Sequence, residues 1–488
     1  MKVLYVASEC APFIKTGGLA DVIGAVPKNL SQFGVDTRVI MPAYPALASL
    51  LARGKTVWQQ DDLLGGPANL VSVKAKGINL LLLNAPHLYD RPGNIYLNDK
   101  GQDWPDNHLR FGALCQVAAY VASYGLPREV KDPLNDWQPD LVHCHDWQSG
   151  LVPAYLKMAD GNTPPCILTI HNIAFQGLFD QEVIETLGLS RDMFVSEGFE
   201  YWGKVSFLKA AIAYSDKITT VSPTYARELM LPEFGMGLEG MMQSRATDLT
   251  GILNGIDTDV WDPIHDRALT ASYYTRTLKR KARNRAQVEA RFDLDPVENP
   301  NAPLFCVISR LTTQKGLDLL VEALPNLVAR GARLALLGSG DKDIEAAFIA
   351  AAHQFKGRVG TIIGYDEELS HILQGGADAI LVPSRFEPCG LTQLYGLRYG
   401  TIPVVARTGG LADTIIDANE AALADNCATG FQFAPITTTS LDHAIDRACL
   451  TFRQPEVWEA MMRRAMNHDV SWDKSAKAYH DLYAGLLD

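Results

Sequence analysis

Two segments far apart in the chain carry almost the same residues. Lys15-Thr16-Gly17-Gly18-Leu19-Ala20-Asp21 near the start returns as Arg407-Thr408-Gly409-Gly410-Leu411-Ala412-Asp413 near the end. Each follows an apolar run of strand character and precedes a helix-like stretch. Such a turn suits an anion. Glycine lets backbone N–H groups approach an oxygen closely, the helix start adds partial positive charge, and the basic side chain adds a full one. Two of them suggest two α/β domains gripping one charged ligand from two sides.

Further cations sit where strands give way to helices. Arg310 and Lys315, in Ser309-Arg310-Leu311-Thr312-Thr313-Gln314-Lys315-Gly316, follow one apolar run and precede the helical pattern Leu317–Leu327. Cations at the carboxyl end of a parallel strand are where an α/β fold binds anions. Gly338-Ser339-Gly340-Asp341 is a weaker glycine turn of the same kind. The densest cluster is Pro383-Ser384-Arg385-Phe386-Glu387-Pro388-Cys389-Gly390-Leu391-Thr392-Gln393. Glu387, stiffened by Phe386 and Pro388, can accept hydrogen bonds from sugar hydroxyls or balance developing positive charge. Gly390-Leu391-Thr392 offers N–H groups at a helix start.

His143-Cys144-His145-Asp146-Trp147 and His171-Asn172 also end strands. The i, i+2 histidines could bind a metal, but no third ligand accompanies them, so no metal is expected. Asp146-Trp147 reads better as a sugar platform, and His171 as a polar contact at a cleft edge. No G-x-S-x-G elbow supports a serine nucleophile, and no G-x-G-x-x-G follows the first strand to suggest a dinucleotide.

The elements that must position these residues alternate short β-branched runs with longer helical stretches, the pattern of parallel sheets flanked by helices. Strands are expected at Val3–Ser8, Thr37–Met41, Leu80–Leu83, Leu141–His145, Ile167–His171, Ile218–Ser222 and Ile252–Asn254. A second set follows at Leu304–Ser309, Arg333–Leu337, Val359–Ile363, Ala379–Val382 and Val404–Ala406. The junction is placed near Asn254–Asp262, followed by a helical lead-in with the basic stretch Lys279–Arg283 and the polar segment Pro296–Asn301.

At 488 residues, 47% hydrophobic and 20% charged, the chain is long enough for two globular domains. It has no apolar run long enough to span a membrane, and Glu9 interrupts the first apolar stretch too early for a secretion signal, so a cytoplasmic protein is expected. Eight cysteines without a C-x-x-C pair fit a reducing compartment. A net charge of −12 argues against a nucleic-acid partner.

In combination, K-T-G-G-L-A-D at 15–21, His145-Asp146-Trp147, His171-Asn172, Asn254-Gly255-Ile256-Asp257, Arg310–Lys315 and E-P-C-G-L-T at 387–392 resemble the bacterial glycogen synthases and plant starch synthases, from the first residue to the last helix. The resemblance implies a GT-B fold: two Rossmann-like domains with parallel sheets facing a central cleft. It implies an N-terminal domain over 1–257, a nucleotide-sugar domain over 258–460, and a C-terminal helix over 461–488 that crosses back. The implied reaction is transfer of glucose from ADP-glucose to the non-reducing end of an α-1,4-glucan such as glycogen, with retention and with no metal or other cofactor.

By the same resemblance, Arg310 and Lys315 hold the donor diphosphate, with Lys15 and Gly18 closing on it. Asp21, Asn254, Tyr365, Cys389, Gly390, Leu391 and Thr392 complete the donor site. Glu387 lies against the donor glucose and His171 near its 6-hydroxyl, while Tyr96, Asp146 and Trp147 face the acceptor. A sister enzyme using UDP-glucose would need the same cations. A non-catalytic glucan-binding protein would be expected to have lost one of Lys15, Arg310, Lys315 or Glu387, and all four are present.

Overall fold

The central strands of this chain are buried on both faces, as parallel strands joined by helical crossovers are. Lys2–Val6 and Leu141–His145 are almost wholly buried runs, a pattern that requires helices on either side of the sheet. The computed structural model describes residues 1–126, 137–160, 163–296 and 301–488, so most of the polar segment expected at Pro296–Asn301 lies outside the described residues. The described chain divides into two compact units, one of Met1–Asn254 with Trp472–Asp488, the other of Gly255–Ser471.

The first unit holds a nine-stranded sheet in the order Leu249–Gly251, Lys217–Thr220, Cys166–Ile170, Leu141–His145, Lys2–Val6, Asp36–Pro42, Ile78–Asn84, Ala68–Ala75, Lys55–Gln60. Ala68–Ala75 pairs antiparallel with both of its neighbours, Ile78–Asn84 and Lys55–Gln60; the other pairings are parallel. The strand expected at Ile252–Asn254 lies earlier, at Leu249–Gly251. Ile252 still donates to the Thr220 carbonyl, but the ladder ends there and the apolar pair Ile252-Leu253 follows the strand.

The second unit holds a six-stranded parallel sheet in the order Val359–Ile363, Arg333–Gly338, Leu304–Ile308, Ala379–Val382, Ile402–Ala406, Phe431–Phe433. The helix leading into it is Lys281–Arg291, shorter than the expected lead-in. Its first residue is not a solvated cation. Lys281 is buried, its Nζ donates to the Gln374 and Gly375 carbonyls and to Thr401 Oγ1, and burial pulls its ammonium down to about 7.

The chain ends as two helices with different allegiances. Pro455–Asn467 stays with the second unit, so the return begins later than the expected 460/461 boundary, and only Asp473–Leu487 belongs to the first. Tyr479 and Tyr483 of this last helix are fully buried. The Tyr483 hydroxyl lies 2.5 Å from that of Tyr5 and 2.6 Å from His143 Nδ1, which fixes the helix on the edge of the central strands. No helix among the described residues is long and apolar enough to cross a membrane.

Candidate active site

In the second unit, three cations near the sheet's carboxyl edge do three different things. Arg385 makes a bidentate pair with Asp318, at 2.6 and 2.7 Å, and its amide donates to the Gln314 carbonyl. It fastens the 383–393 loop to the turn after Leu304–Ile308 and holds the Asp318 carboxyl below its usual range. Lys315 Nζ donates to Glu387 Oε2 at 2.5 Å, in a pair whose side chains are 17% and 11% exposed. Arg310 is exposed and has no ion-pair partner among the described residues. An exposed guanidinium five residues from a largely buried ammonium, in one turn at the carboxyl end of a parallel strand, suits an anion.

Glu387 is held in place from both its side chain and its backbone. Ser384 Oγ donates to its Oε2 at 2.8 Å. The amide of Gly410, in the second copy of the repeated turn, donates to the Glu387 and Pro388 carbonyls at 3.1 and 3.0 Å. A Cβ on Gly409 would lie 2.0 Å from the Glu387 carbonyl oxygen, and one on Gly410 2.0 Å from that of Cys389. These glycines exist for close packing of one loop on another. The expectation that both copies of the turn present their glycines to a ligand is therefore corrected for the second copy. In the first copy, nothing lies within 4 Å of a Cβ built on Gly17 or Gly18.

The contrast gives a test. Gly410→Ala is expected to displace the Glu387 loop and lower both stability and activity. Gly18→Ala, at the start of the helix Gly18–Leu30, meets no atom and gains helix propensity of up to about 1 kcal/mol. It is expected to raise KM for the sugar nucleotide with an unchanged or higher melting temperature. A lowered melting temperature in Gly18→Ala would contradict this reading.

Downstream, Gly390 has φ +70° and leads into the helix Thr392–Tyr399, which has no side-chain cap. Cys389 is buried, and Leu391 and Thr392 are half-buried. Tyr365, just past Val359–Ile363, is 78% exposed.

In the first unit the organising residue is one the sequence reading did not single out. Glu9 is 3% exposed, and its carboxylate accepts from the Thr16 amide, Thr16 Oγ1 at 2.9 Å, the Gly17 amide at 3.4 Å and the Tyr96 hydroxyl at 3.0 Å. Burial raises its pKa. Tyr96, expected to face an acceptor, instead commits its hydroxyl to Glu9 and to Ser8 Oγ at 2.7 Å. Lys15 pairs with Asp21 at 2.8 Å, and because the lysine is 46% exposed the pair is weak and readily exchanged for a ligand's phosphate.

Asp146 and Trp147 do not form an exposed platform. Trp147 is 7% exposed, edge-on to Phe111 at 5.0 Å and covered by Gly177, where a Cβ would lie 2.3 Å from the indole. Asp146 adopts φ +54° and accepts from the His171 amide at 2.7 Å, so it orients the His171 segment. His171 Nε2 lies 3.0 Å from His145 Nδ1, and His143 is bonded to Tyr483 and Thr169. His145 Nε2 and Asn254 Oδ1 are buried without a protein partner. Among the described residues no group of three or more His, Cys, Asp and Glu side chains is arranged to hold a metal.

These buried groups predict a pH dependence. Burial holds His143 and His171 down at about 3 and His145 well below its usual value, while it pushes Asp146 up to about 7. The folded histidines refuse protons that the unfolded ones accept, so their stability contribution is present above about pH 6.5 and lost as pH falls toward 3. Asp146 and Glu9 act oppositely, since the folded state retains their protons as pH rises from about 4. Three histidines outweigh two carboxyls. The urea midpoint is expected to fall between about pH 7.5 and about pH 5; a midpoint that stayed level or rose would contradict the assignment.

Comparison with known proteins agrees with this geometry. A family model described as the starch synthase catalytic domain matches residues 2–244, and one described as glycosyl transferases group 1 matches residues 290–451. The glycogen synthase of Roseobacter denitrificans is 64% identical over 100% of both chains, and glycogen synthase 1 of Rhizobium meliloti 52% identical over 100% of this chain and 99% of that one. The catalytic domain of starch synthase IV from Arabidopsis thaliana, bound to ADP and acarbose, matches with a TM-score of 0.85 and 29% identity over 99% of each chain. Sucrose-phosphate synthase from Thermosynechococcus elongatus shares the fold alone, with a TM-score of 0.58 and 16% identity over 99% of this chain and 98% of that one. The chain belongs to the glycogen synthase family, GT-B glucosyltransferases that lengthen a glucan.

Proposed function

We propose that the donor is ADP-glucose, that Arg310 and Lys315 hold its diphosphate, and that Lys15, Gly18 and Asp21 serve the same donor. The observation that carries this reading is the exposed Arg310, without an ion-pair partner among the described residues, in the same turn after Leu304–Ile308 as Lys315, which reaches Glu387. The adenine nucleotide bound in the starch synthase IV relative supports the donor assignment, and exposed Tyr365 is a surface on which a base can stack.

A sugar nucleotide already carries a good leaving group, so the protein has to stabilise diphosphate charge as the glycosidic C–O bond breaks. Arg310 and Lys315 do this by electrostatic attraction, with the uncapped helix start at Thr392 adding to it. Glu387, fixed by Ser384 and Gly410, lies against the glucose and offsets positive charge at the anomeric carbon. The acceptor hydroxyl attacks from the face the diphosphate leaves, and the departing phosphate oxygen takes its proton, which retains configuration. His171, oriented by Asp146, contacts the glucose 6-hydroxyl side. The glucan accepts glucose at its non-reducing end.

Initial rates with ADP-glucose and UDP-glucose in parallel, on glycogen and with EDTA present, test the donor. Transfer from ADP-glucose at the higher kcat/KM is expected. Preference for UDP-glucose would overturn the donor assignment, and loss of transfer in EDTA would overturn the metal-free mechanism.

A further inference from the structure

The second copy of the repeated turn braces the Glu387 loop through its glycines, but its cation has no part in that. Arg407 is exposed, has no ion-pair partner among the described residues, and lines a separate cleft of about 380 Å³ within the second unit. The cleft opens at the carboxyl ends of two neighbouring parallel strands. Ala406 pairs with Phe433, and the Arg407 amide donates to the Phe433 carbonyl at 3.0 Å. The helix Thr438–Phe452 starts there, with Ser440 in its first turn lining the cleft. Carboxyl strand ends facing a helix start form the crevice in which α/β folds hold anions.

The lining has the right charge for that use. Asp417 is the cleft's one acid, and it is already satisfied: its Oδ1 accepts from Arg447 Nη2 at 2.9 Å and from the Gln432 amide at 2.7 Å. That leaves Arg407 uncompensated, with His443 exposed beside it and no hydrogen bond to its ring among the described residues. A net positive cleft on a chain of formal charge −12 runs against the overall field. Asn419, whose Oδ1 caps the Ala422 amide, and Gln432, whose Nε2 donates to the Ala412 and Ile415 carbonyls, each keep one polar atom among the described residues, Nδ2 and Oε1, for a hydroxyl.

We propose that this cleft is a second ligand site, for a phosphate monoester carrying hydroxyl groups. Its phosphate meets Arg407 and His443 at the helix start, and its hydroxyls meet Asn419 and Gln432. The site is separate from the Arg310–Lys315 pair, and its anchor lies three residues before Gly410, whose amide holds the Glu387 carbonyl.

Isothermal titration of the full chain with glycerol 3-phosphate, and separately with inorganic phosphate, tests this in wild type, Arg407→Ala, Arg407→Lys and Lys315→Ala. Binding is expected in wild type and Lys315→Ala, weakened at least tenfold in Arg407→Ala and less in Arg407→Lys. Equal affinity for inorganic phosphate would identify free phosphate as the ligand and still support the site. Absent binding in wild type, unchanged binding in Arg407→Ala, or loss in Lys315→Ala would overturn it. None of these outcomes depends on glucosyl transfer, so the site can fail while the donor assignment stands. The Arg407 side chain is exposed, and matching urea midpoints confirm that the variants are folded.

Discussion

Replacing Lys315 by alanine is expected to lower kcat for glucosyl transfer by on the order of 10²–10³-fold, the range measured when one preorganised group that stabilises developing charge is removed. The loss has two sources. The diphosphate leaves without its ammonium, and Glu387, 11% exposed, keeps a carboxylate that among the described residues only the Ser384 side chain answers. Lys315→Arg is not expected to rescue, because a planar guanidinium is too broad for a 2.5 Å point contact already seated between two loops. Single-turnover rates with saturating sugar nucleotide check this. A rise in KM with kcat unchanged would mean that Lys315 only binds the donor and does nothing for the transition state.

Glu387→Gln is expected to cost a similar factor, of order 10²–10⁴ in kcat, with little change in KM. The amide keeps the shape of the acid and can still accept from Ser384, so the fold should hold and the melting temperature should move little. What it loses is the negative charge near the anomeric carbon. Because Lys315 and Glu387 touch, the double variant is expected to lose far less than the product of the two single losses. Full additivity would mean that the pair does not act as a unit.

The fold was readable from the sequence wherever burial dictated a single answer. Strands such as Leu304–Ile308 and Ala379–Val382 fall where their continuous apolar runs put them. Lys55–Gln60, the edge strand, and Ala68–Ala75 beside it were missed because they pair antiparallel and their exposed positions dilute the apolar signal. The return of the last helix to the first unit came from resemblance. Its physical anchor, the contact of Tyr483 with Tyr5 and His143, joins residues at opposite ends of the chain.

The candidate site divides along a similar line. Arg310, Lys315 and Glu387 were legible because cations and an acid at strand ends need a use. Glu9 was not, since a single acid after a first strand carries no pattern; its role depends on the chain folding back through Thr16, Gly17 and Tyr96. Trp147 was misread as a platform because sequence cannot show that Gly177 and Phe111 cover it. The repeated turn misled in an instructive way: identical residues face open space in one copy and a neighbouring loop in the other.

The most direct test of the central claim is the anomeric configuration and rate of the first bond formed from ADP-glucose on a short α-1,4-glucan, followed by proton NMR in EDTA for wild type and Glu387→Gln. The account predicts an α-linked product with no build-up of β-anomer, formed by wild type and nearly abolished in the variant. A β-linked product, or transfer by Glu387→Gln at close to the wild-type rate, would contradict it.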